Sequence, residues 1–518
     1  MHIERSIYII MKELMSFSKF RMMAFFVAVA FSSGNIFGER TDETNKTSVT
    51  YDLTAETAVG SGSYTAYQLV TNRHHVLATR ANTAYVRGAV NVSHKLSERF
   101  TLSGTVDAIA SVHADHSLFL QQCYARLDGK YLFVEAGSHE SGQVVRHDSL
   151  SVGSFVKGTN AKPVPQARIG TRGFQYVPFT KQWVQVNAEG GYGKFLDSDH
   201  RQDMMIRSGG HTYTTGAYYH QSHLYIRSNP TKRFFAMVGI EHVAQFGGTR
   251  YIFVGDEKTE IAKPADLKAF LNVILPLGDN SYFEHSTLED WVYGNHVGVM
   301  TYQVGVNITS HHRLQAYLDN PFEDGSGIRK GNGYDGLWGL EYTCSKPGRQ
   351  YVRAAVVEYF QSTCQSGPLH WDGGDYPEPI RSQITDLVVG DDNYYNNSFY
   401  DSYSYYSMTP GIALITSPIY NEGGGSMFLN NRVKAWHLGV KGELTDKLSY
   451  MLKGSYCEGW GTYSAPAVRK KHSFDVMLLG SYALGALNVS AAYALSSGNI
   501  YGNCSTCNLK ISYHGKIF

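Results

Sequence analysis

The chain of 518 residues has few charged side chains. It has no excess of basic or acidic residues that would indicate binding to a partner of opposite charge. Lys, Arg, Asp and Glu make up 18% of the residues, and the formal net charge is +1. Nucleic acid, which is bound through clusters of basic side chains, is therefore not an expected partner. Beyond residue 31 no apolar run approaches the ~20 residues that a membrane-spanning helix needs. The sequence thus excludes a protein built from membrane-spanning helices.

Catalytic and metal-binding patterns are also missing. We find no Ser-His-Asp constellation, phosphate loop or paired carboxylates that stand out from chance. The pairs His74-His75 and His311-His312 lack an E-x-x-H partner or a carboxylate at ligand spacing. We therefore expect no enzyme activity, no metal and no cofactor.

Glycine and tyrosine are plentiful, with 52 and 37 residues against only 14 prolines. This combination with few charges is unusual for a cytosolic enzyme and favours β-structure. The N-terminus carries Lys19 and Arg21 before the apolar run 22–31, which is followed by small residues. This pattern predicts a signal peptide over 1–38 with cleavage near 34–38. We expect a short periplasmic segment over 39–61 and a barrel over 62–518.

Apolar and polar residues alternate with period two over most of the chain, which is typical of strands with two different faces. In 101–112, the apolar Leu102 and Val106 oppose the polar Thr105 and Asp107, with Ile109 the misfit. A membrane barrel needs such strands, apolar toward lipid and polar toward the lumen, and closure leaves no unpaired edge. Isolated charges on the polar faces are predicted to point into the lumen: Arg87, Asp107, Glu135, Lys453 and Asp475.

The lengths of the connections favour a barrel over a soluble sandwich. Eighteen candidate strands begin with 62–71 and end with 508–518, and long connections such as 247–295 and 362–429 all follow odd-numbered strands. Short turns on one side and long loops on the other are typical of outer-membrane barrels. We predict an all-β, transmembrane antiparallel β-barrel of about 18 strands with long extracellular loops. The helical spacing in 264–276 predicts a short loop helix that caps or plugs the lumen.

Six cysteines in an exported chain permit disulfides. Cys504 and Cys507 are predicted to lie in the final extracellular loop, either as a local disulfide or as two free thiols.

The stretch 392–410 holds six tyrosines among Asn, Asp and Ser and has no strand or helix period. Tyrosine rings stack on sugar C–H patches and amides bond sugar hydroxyls, so one interpretation is a glycan-binding surface. The alternatives are an aromatic girdle at the membrane interface or a loop packed in the lumen. The candidate glycan-binding residues, which include part of the loop 319–336, are Trp371, Tyr394, Tyr395, Tyr400, Tyr403, Tyr405, Tyr406, Asn320, Glu323, Asp324 and Arg329.

Several ordered segments resemble the capsule assembly (Wzi-type) outer-membrane proteins. The longest of them are "SLFLQQCYARL" (117–127), "AKPVPQARIG" (161–170), "NPFEDGSGIR" (320–329), "DGLWGLEY" (335–342), "DNYYNNSFY" (392–400) and "NNRVKAWHLG" (430–439). The resemblance implies a monomeric eighteen-stranded barrel that acts as an outer-membrane lectin. It further implies that the protein holds capsular polysaccharide at the surface of a Gram-negative cell.

The leading hypothesis is therefore a non-enzymatic, lectin-like barrel for capsule attachment or assembly. The alternative is a porin or substrate-specific channel, which must keep an aqueous path through the lumen, and a barrel hydrolase is a third. Expected partners are surface polysaccharide, outer-membrane lipid and, from the terminal Phe518, the barrel assembly machinery.

Overall fold

The computed structural model describes residues 46–114, 116–274, 292–323, 325–365 and 393–517. The predicted signal peptide, Asp324, Trp371 and Phe518 lie outside these residues. None of the helices in the described ranges has the length and apolar character to cross a membrane.

The described chain is mostly strand. The strands, in chain order, are β1 (Thr47–Ser61), β2 (Thr83–Lys95), β3 (Thr101–Val112), β4 (Leu118–Asp128), β5 (Leu132–Ser138), β6 (Gln166–Thr171), β7 (Gln175–Tyr176), β8 (Val184–Lys194), β9 (Thr212–Thr215), β10 (Tyr218–Ser228), β11 (Phe234–Phe246), β12 (Thr249–Val254), β13 (Glu257–Ala262), β14 (Asn295–Asn307), β15 (His312–Phe322), β16 (Gly336–Cys344), β17 (Ala354–Gln361), β18 (Asn396–Asn397), β19 (Asp401–Ser402), β20 (Val433–Glu443), β21 (Leu448–Gly461), β22 (Pro466–Leu484), β23 (Leu487–Gly498) and β24 (Cys504–Lys516). The helices are Tyr67–Val70, Ser198–Arg207, Leu267–Ile274 and Gly325–Ile328, with a 3₁₀ turn at Pro418–Tyr420.

Eighteen of these strands form a closed antiparallel barrel. Closure comes from β1, which pairs with β2 on one side and with β24 on the other. Neighbours in the wall are otherwise consecutive barrel strands, and the short β7 pairs only with β8. The predicted all-β barrel of about 18 strands is confirmed.

The two faces of the wall follow the alternation seen in the sequence. In β3, Val106 is 49% exposed and points outward, whereas Asp107 is fully buried. In β22, Phe474 and Leu478 are exposed, while Asp475 is buried. Because strand side chains alternate between faces, the exposed set meets lipid and the buried set fills the lumen.

The first strand differs from the prediction. Residues 47–61, expected to be a periplasmic segment, form β1 and supply the strand that closes the barrel. Residues 62–71, expected to be the first strand, contain the short helix Tyr67–Val70 instead. The barrel therefore begins by Thr47, and the expected boundary at residue 62 is wrong.

The strand connections sort onto two rims of the barrel. The short-turn rim carries connections such as 229–233, 308–311 and 485–486. The long-loop rim carries 62–82, 139–165, 195–217, 247–294, 323–335 and 362–432. The predicted sorting of short and long connections is confirmed.

The helix Leu267–Ile274 lies outside the barrel wall. Its buried Ala269 and Val273 pack with Ala244 and Phe246 of β11. These two β11 residues share a face with the exposed Val238, because β11 keeps an unbroken register with β10 and β14. The helix therefore covers the outward face near the long-loop rim, and the expectation that it plugs or caps the lumen is wrong.

Candidate functional site

The lumen is filled by three connections from the long-loop rim, residues 62–82, 139–165 and 393–432, which we call the plug. Phe155 and Tyr395 of the plug share a buried core with residues of the barrel wall. The wall residues in this core include Tyr219, Val243, Val297, Tyr317, Phe360 and Val433. On the other side of the lumen, Leu69 and Leu77 pack against a second set of wall residues. The plug thus contacts strands around the whole circumference.

Ion pairs with the wall hold two of the three plug connections, 62–82 and 139–165, in place. Each pair joins a charged plug residue to a wall residue of opposite sign, so that few charges inside the lumen remain uncompensated. The pairs are Arg73–Glu56 at 2.6 Å, Glu140–Arg87 at 2.7 Å, Lys157–Glu189 at 3.1 Å and Arg146–Asp319. Arg87 and Glu135 were predicted to face the lumen, and both do, since Glu135 is buried and Arg87 bonds the fully buried Asp107.

Arg146 has the most enclosed position among these charges. Its side chain is 1% exposed, and it bonds Asp319 while its Nη1 lies 3.5 Å from Glu241. Nearby, the buried carboxylate of Glu358 accepts hydrogen bonds from Ser151 Oγ at 2.6 Å and Val152 N at 2.9 Å. Segment 146–152 is therefore fixed to the wall by both charge and backbone contacts.

The tyrosines of 394–406 belong to the plug. Tyr394, Tyr395, Tyr400, Tyr403 and Tyr405 are each at most 4% exposed. Burial raises the pKa of the Tyr395 and Tyr403 hydroxyls well above the ordinary value.

The hydroxyls of Tyr403 and Tyr395 bond residues of the plug itself. The Tyr403 hydroxyl donates to Val156 O at 2.9 Å, and that of Tyr395 donates to Phe155 O. Tyr406 is half-buried and donates to Leu196 O at 3.1 Å. The prediction that this stretch forms an exposed sugar-stacking surface is therefore wrong, and the lumen-packed alternative is the one observed.

The remaining predicted glycan residues are dispersed. Asn320 is buried and donates to Gly327 O at 3.0 Å, while the Glu323 carboxylate accepts from Tyr395 N at 2.8 Å. Arg329 is exposed. Asn320 and Glu323 thus organise their own loop and the tyrosine segment, and the structure does not bring them together with Arg329 into one site.

A buried carboxylate anchors the start of the longest loop, and the sequence patterns did not single it out. Asp335 accepts hydrogen bonds from Cys364 N at 3.0 Å and Gln365 N at 2.7 Å, and its burial raises its pKa. At the far end of the loop, Arg432 donates to Thr363 O. Burial lowers the pKa of Arg432 to about 10. No periodicity marks such contacts, since the partners are far apart in the chain.

Cys504 and Cys507 do not form a disulfide. Both lie in β24, where Cys504 is buried and Cys507 is exposed. Residues three apart in a strand point to opposite faces and are separated by ~10 Å, beyond the reach of a disulfide. The possible local disulfide and the loop position are both wrong. All six cysteines are free.

An aromatic stack lies on the long-loop rim, in a three-stranded sheet of β9, β12 and β13. The ring of Tyr213 stacks on those of Tyr251 and Phe253, with centroids at 5.1 and 6.1 Å. Arg250, on the opposite face of β12, bonds Asp401 of the plug at 2.9 Å. The ring face therefore points away from the plug, and both Tyr251 and Phe253 remain half-exposed.

Charged groups border this stack. Lys258 and Glu260 of β13 are largely exposed and form an ion pair at 2.8 Å. The Lys258 ammonium lies 4.2 Å from the centre of the Tyr251 ring. Flat rings beside hydrogen-bonding groups are suited to a sugar, which presents C–H patches and hydroxyls. Within the described ranges, no His, Cys, Asp and Glu side chains converge as a metal site would require.

No family model matches the chain, and no curated protein matches it significantly. Among solved structures, the fold is similar to Wzi, an outer membrane protein involved in group 1 capsule assembly in Escherichia coli and a carbohydrate binding β-barrel. That similarity has 10% identity and a TM-score of 0.52 and covers 89% of this chain and 83% of that one.

Two further similarities are to Pseudomonas aeruginosa proteins. OccK5 (OpdH) has 10% identity and a TM-score of 0.42, with coverage of 91% and 99%. OprD, an outer membrane protein, has 9% identity and a TM-score of 0.44, with coverage of 92% and 96%. The architecture is that of an outer-membrane β-barrel, and membership of the capsule assembly family stays a prediction.

Proposed function

We propose that this protein is a non-enzymatic, lectin-like outer-membrane barrel that attaches or assembles capsular polysaccharide, with its long-loop rim facing outward from the cell. The observation that carries the proposal is the filled lumen. A porin needs a continuous aqueous path, whereas here the plug packs a buried core against the wall. A barrel without an open path acts through its rim, and this rim bears an aromatic stack.

The half-exposed rings of Tyr251 and Phe253 are the part of the rim best suited to glycan. They are rigid, already stacked and bordered by Lys258 and Glu260, so little side-chain freedom is lost on binding. The likeness to a carbohydrate binding barrel is consistent with this use of the rim.

The experiment compares a double variant of the aromatic stack with a single control variant, both in the native host. Tyr251→Ala with Phe253→Ala removes both half-exposed faces of the stack, and Tyr176→Ala removes an exposed ring at the short-turn rim as the control. Stacking of a base on an aromatic ring contributes ~1–3 kcal/mol, and the lower end for two sugar contacts gives a loss of roughly tenfold or more. We expect polysaccharide to appear in the medium with the double variant and to stay on the cell with the control.

Two results would contradict the proposal. Full retention of polysaccharide by cells that lack the protein altogether would show that it is not an attachment factor. Steady ion conductance of the purified wild-type barrel in planar bilayers would show an open path and would favour the porin hypothesis. If gene deletion releases polysaccharide but the double variant retains it normally, the proposed function stands and the aromatic stack is not the binding site.

A further inference from the structure

Below the plug, the lumen contains a cavity of about 250 Å³ toward the short-turn rim. Its upper boundary is formed by Val144, Val145 and Arg146 of the plug. Its wall comes from the ends of β10, β14, β15 and β16 that lie nearest the short turns, and from the start of β11. The volume is below the ~300–1,000 Å³ of pockets that hold drug-sized ligands, so it suits a single small molecule.

Two arginines in this cavity lack a negative partner. Arg227 donates from Nε to Gln185 Oε1 at 2.7 Å, and its guanidinium lies 3.5 Å from the centre of the Phe174 ring. Arg313 donates from Nε to Asn307 Oδ1 and from Nη2 to Pro230 O, each at 3.0 Å.

These contacts are neutral, and among the described residues neither guanidinium forms an ion pair. Several other arginines in the lumen are paired with carboxylates, as Arg146 is with Asp319 and Arg168 with Glu135. Arg227 and Arg313 are also half-exposed, so solvent reaches them. The neutral contacts fix the orientation of both guanidinium groups but leave their charge, and the Nη groups of Arg227, available to an anion.

One oxygen of a carboxylate in the same cavity has no hydrogen-bond donor. Glu341 is 5% exposed, and its Oε2 has no hydrogen-bond partner. A buried carboxylate oxygen left without a donor is costly, so a ligand that offers a hydroxyl gains from meeting it. Gln303 and Gln315 also line the cavity, and the Gln315 side chain hydrogen-bonds the Glu341 carboxylate.

We propose that this cavity binds one acidic sugar unit. Arg227 and Arg313 hold its carboxylate, and Glu341 accepts a hydrogen bond from one of its hydroxyls. The pairing of an anion site with an unsatisfied acceptor distinguishes a hydroxylated carboxylate from a simple anion such as sulfate, which has no hydroxyl to donate and which Glu341 repels. The site lies inside the barrel and shares no residue with the aromatic stack on the long-loop rim, so it does not depend on the function proposed above.

The test is calorimetric titration of the full-length protein in detergent with glucuronate, with glucose as the neutral analogue and sulfate as the anion without a hydroxyl. We expect saturable binding of glucuronate, no saturable binding of glucose, and weaker binding of sulfate. Arg227→Gln with Arg313→Gln should weaken glucuronate binding by about tenfold or more, because two charge-assisted hydrogen-bonding groups are lost. Glu341→Gln should raise the affinity for sulfate, since it removes a repulsive charge.

Arg349→Gln is the matched control, because Arg349 also lies over a ring, at 5.1 Å from that of Tyr351, but outside the cavity. It should bind glucuronate as the wild type does. Heat-modifiable migration on gels reports the folded barrel, and if the glutamine pair does not fold, Arg227→Lys with Arg313→Lys keeps both charges and should still bind glucuronate more weakly. Equal binding of glucuronate and glucose, tighter binding of sulfate than of glucuronate, or unchanged affinity in a folded arginine double variant would each overturn the proposal.

Discussion

Replacing Arg146 tests whether charge pairs hold the plug in the lumen. In Arg146→Met the aliphatic chain is nearly kept, but the positive charge next to Asp319 and Glu241 is lost. Asp319 is fully buried and also accepts from Thr301 Oγ1 at 2.8 Å, so it cannot turn toward solvent without losing that bond. The variant therefore leaves two wall carboxylates that face the docked plug without their cation.

The expected effect is large. Removing one partner from a buried ion pair costs ~3–5 kcal/mol because the remaining charge is uncompensated. The plug can relieve this cost by leaving the lumen and letting water reach the wall. Opening of segment 139–165 should then become more frequent by roughly a hundred- to several-thousand-fold.

Hydrogen exchange followed by mass spectrometry measures this opening directly. Amides of 147–156 should exchange faster by at least a hundredfold in Arg146→Met, whereas amides of β8 should not change, because the wall is held by its own ladder. Adding Asp319→Asn and Glu241→Gln to Arg146→Met removes the charges together and should restore most of the protection. Unchanged exchange of 147–156 in the single variant would refute the view that this ion pair holds the plug.

Three further predictions follow from the same structure. Val106→Arg places a charge on the lipid face and should cost ~2–4 kcal/mol in a urea refolding titration, whereas Ser103→Arg on the lumen face should cost much less; equal costs would contradict the assignment of faces. Tyr403→Phe removes the donor to the Val156 carbonyl and should lower stability by ~1–2 kcal/mol with no effect on surface polysaccharide; loss of polysaccharide from a normally folded variant would contradict a purely structural role. Burial lowers the pKa of His147 to about 4, below the unfolded value near 6.5, so the unfolded segment binds the proton more readily. Plug docking should therefore weaken as pH falls from 6.5 to 4, and His147→Gln should remove that part of the pH dependence of exchange in 147–156.

Period-two alternation was sufficient to predict the wall and its two faces. Val106 and Asp107 show why. A barrel strand must put its apolar residues into lipid and its polar residues into the lumen, so neighbouring residues in the sequence alternate between apolar and polar. The same signal was present in β1, where Val49, Tyr51 and Leu53 alternate with polar residues. The prediction of a short periplasmic segment over 39–61 did not use this signal.

The tyrosine stretch could not be assigned from composition. A tyrosine ring is apolar and its hydroxyl needs a partner, and both demands are met equally by a sugar or by a packed interior. The Tyr403 hydroxyl finds its partner at Val156, 247 residues earlier in the chain. The aromatic stack was missed for a related reason, since Tyr213 and Tyr251 become neighbours only through the pairing of β9 with β12.

The charges inside the lumen suggest how the plug and the wall depend on one another. Glu56, Glu189 and Asp319 face plug cations, but they sit on strands whose backbone bonds are all made within the wall. With the plug displaced, water can solvate these carboxylates, so the wall loses partners without exposing an unpaired edge to lipid. A plug cation such as Arg146 likewise becomes solvated. Displacement of the plug is therefore a local transition within a closed barrel, and variants that weaken docking should open the lumen while heat-modifiable migration stays normal.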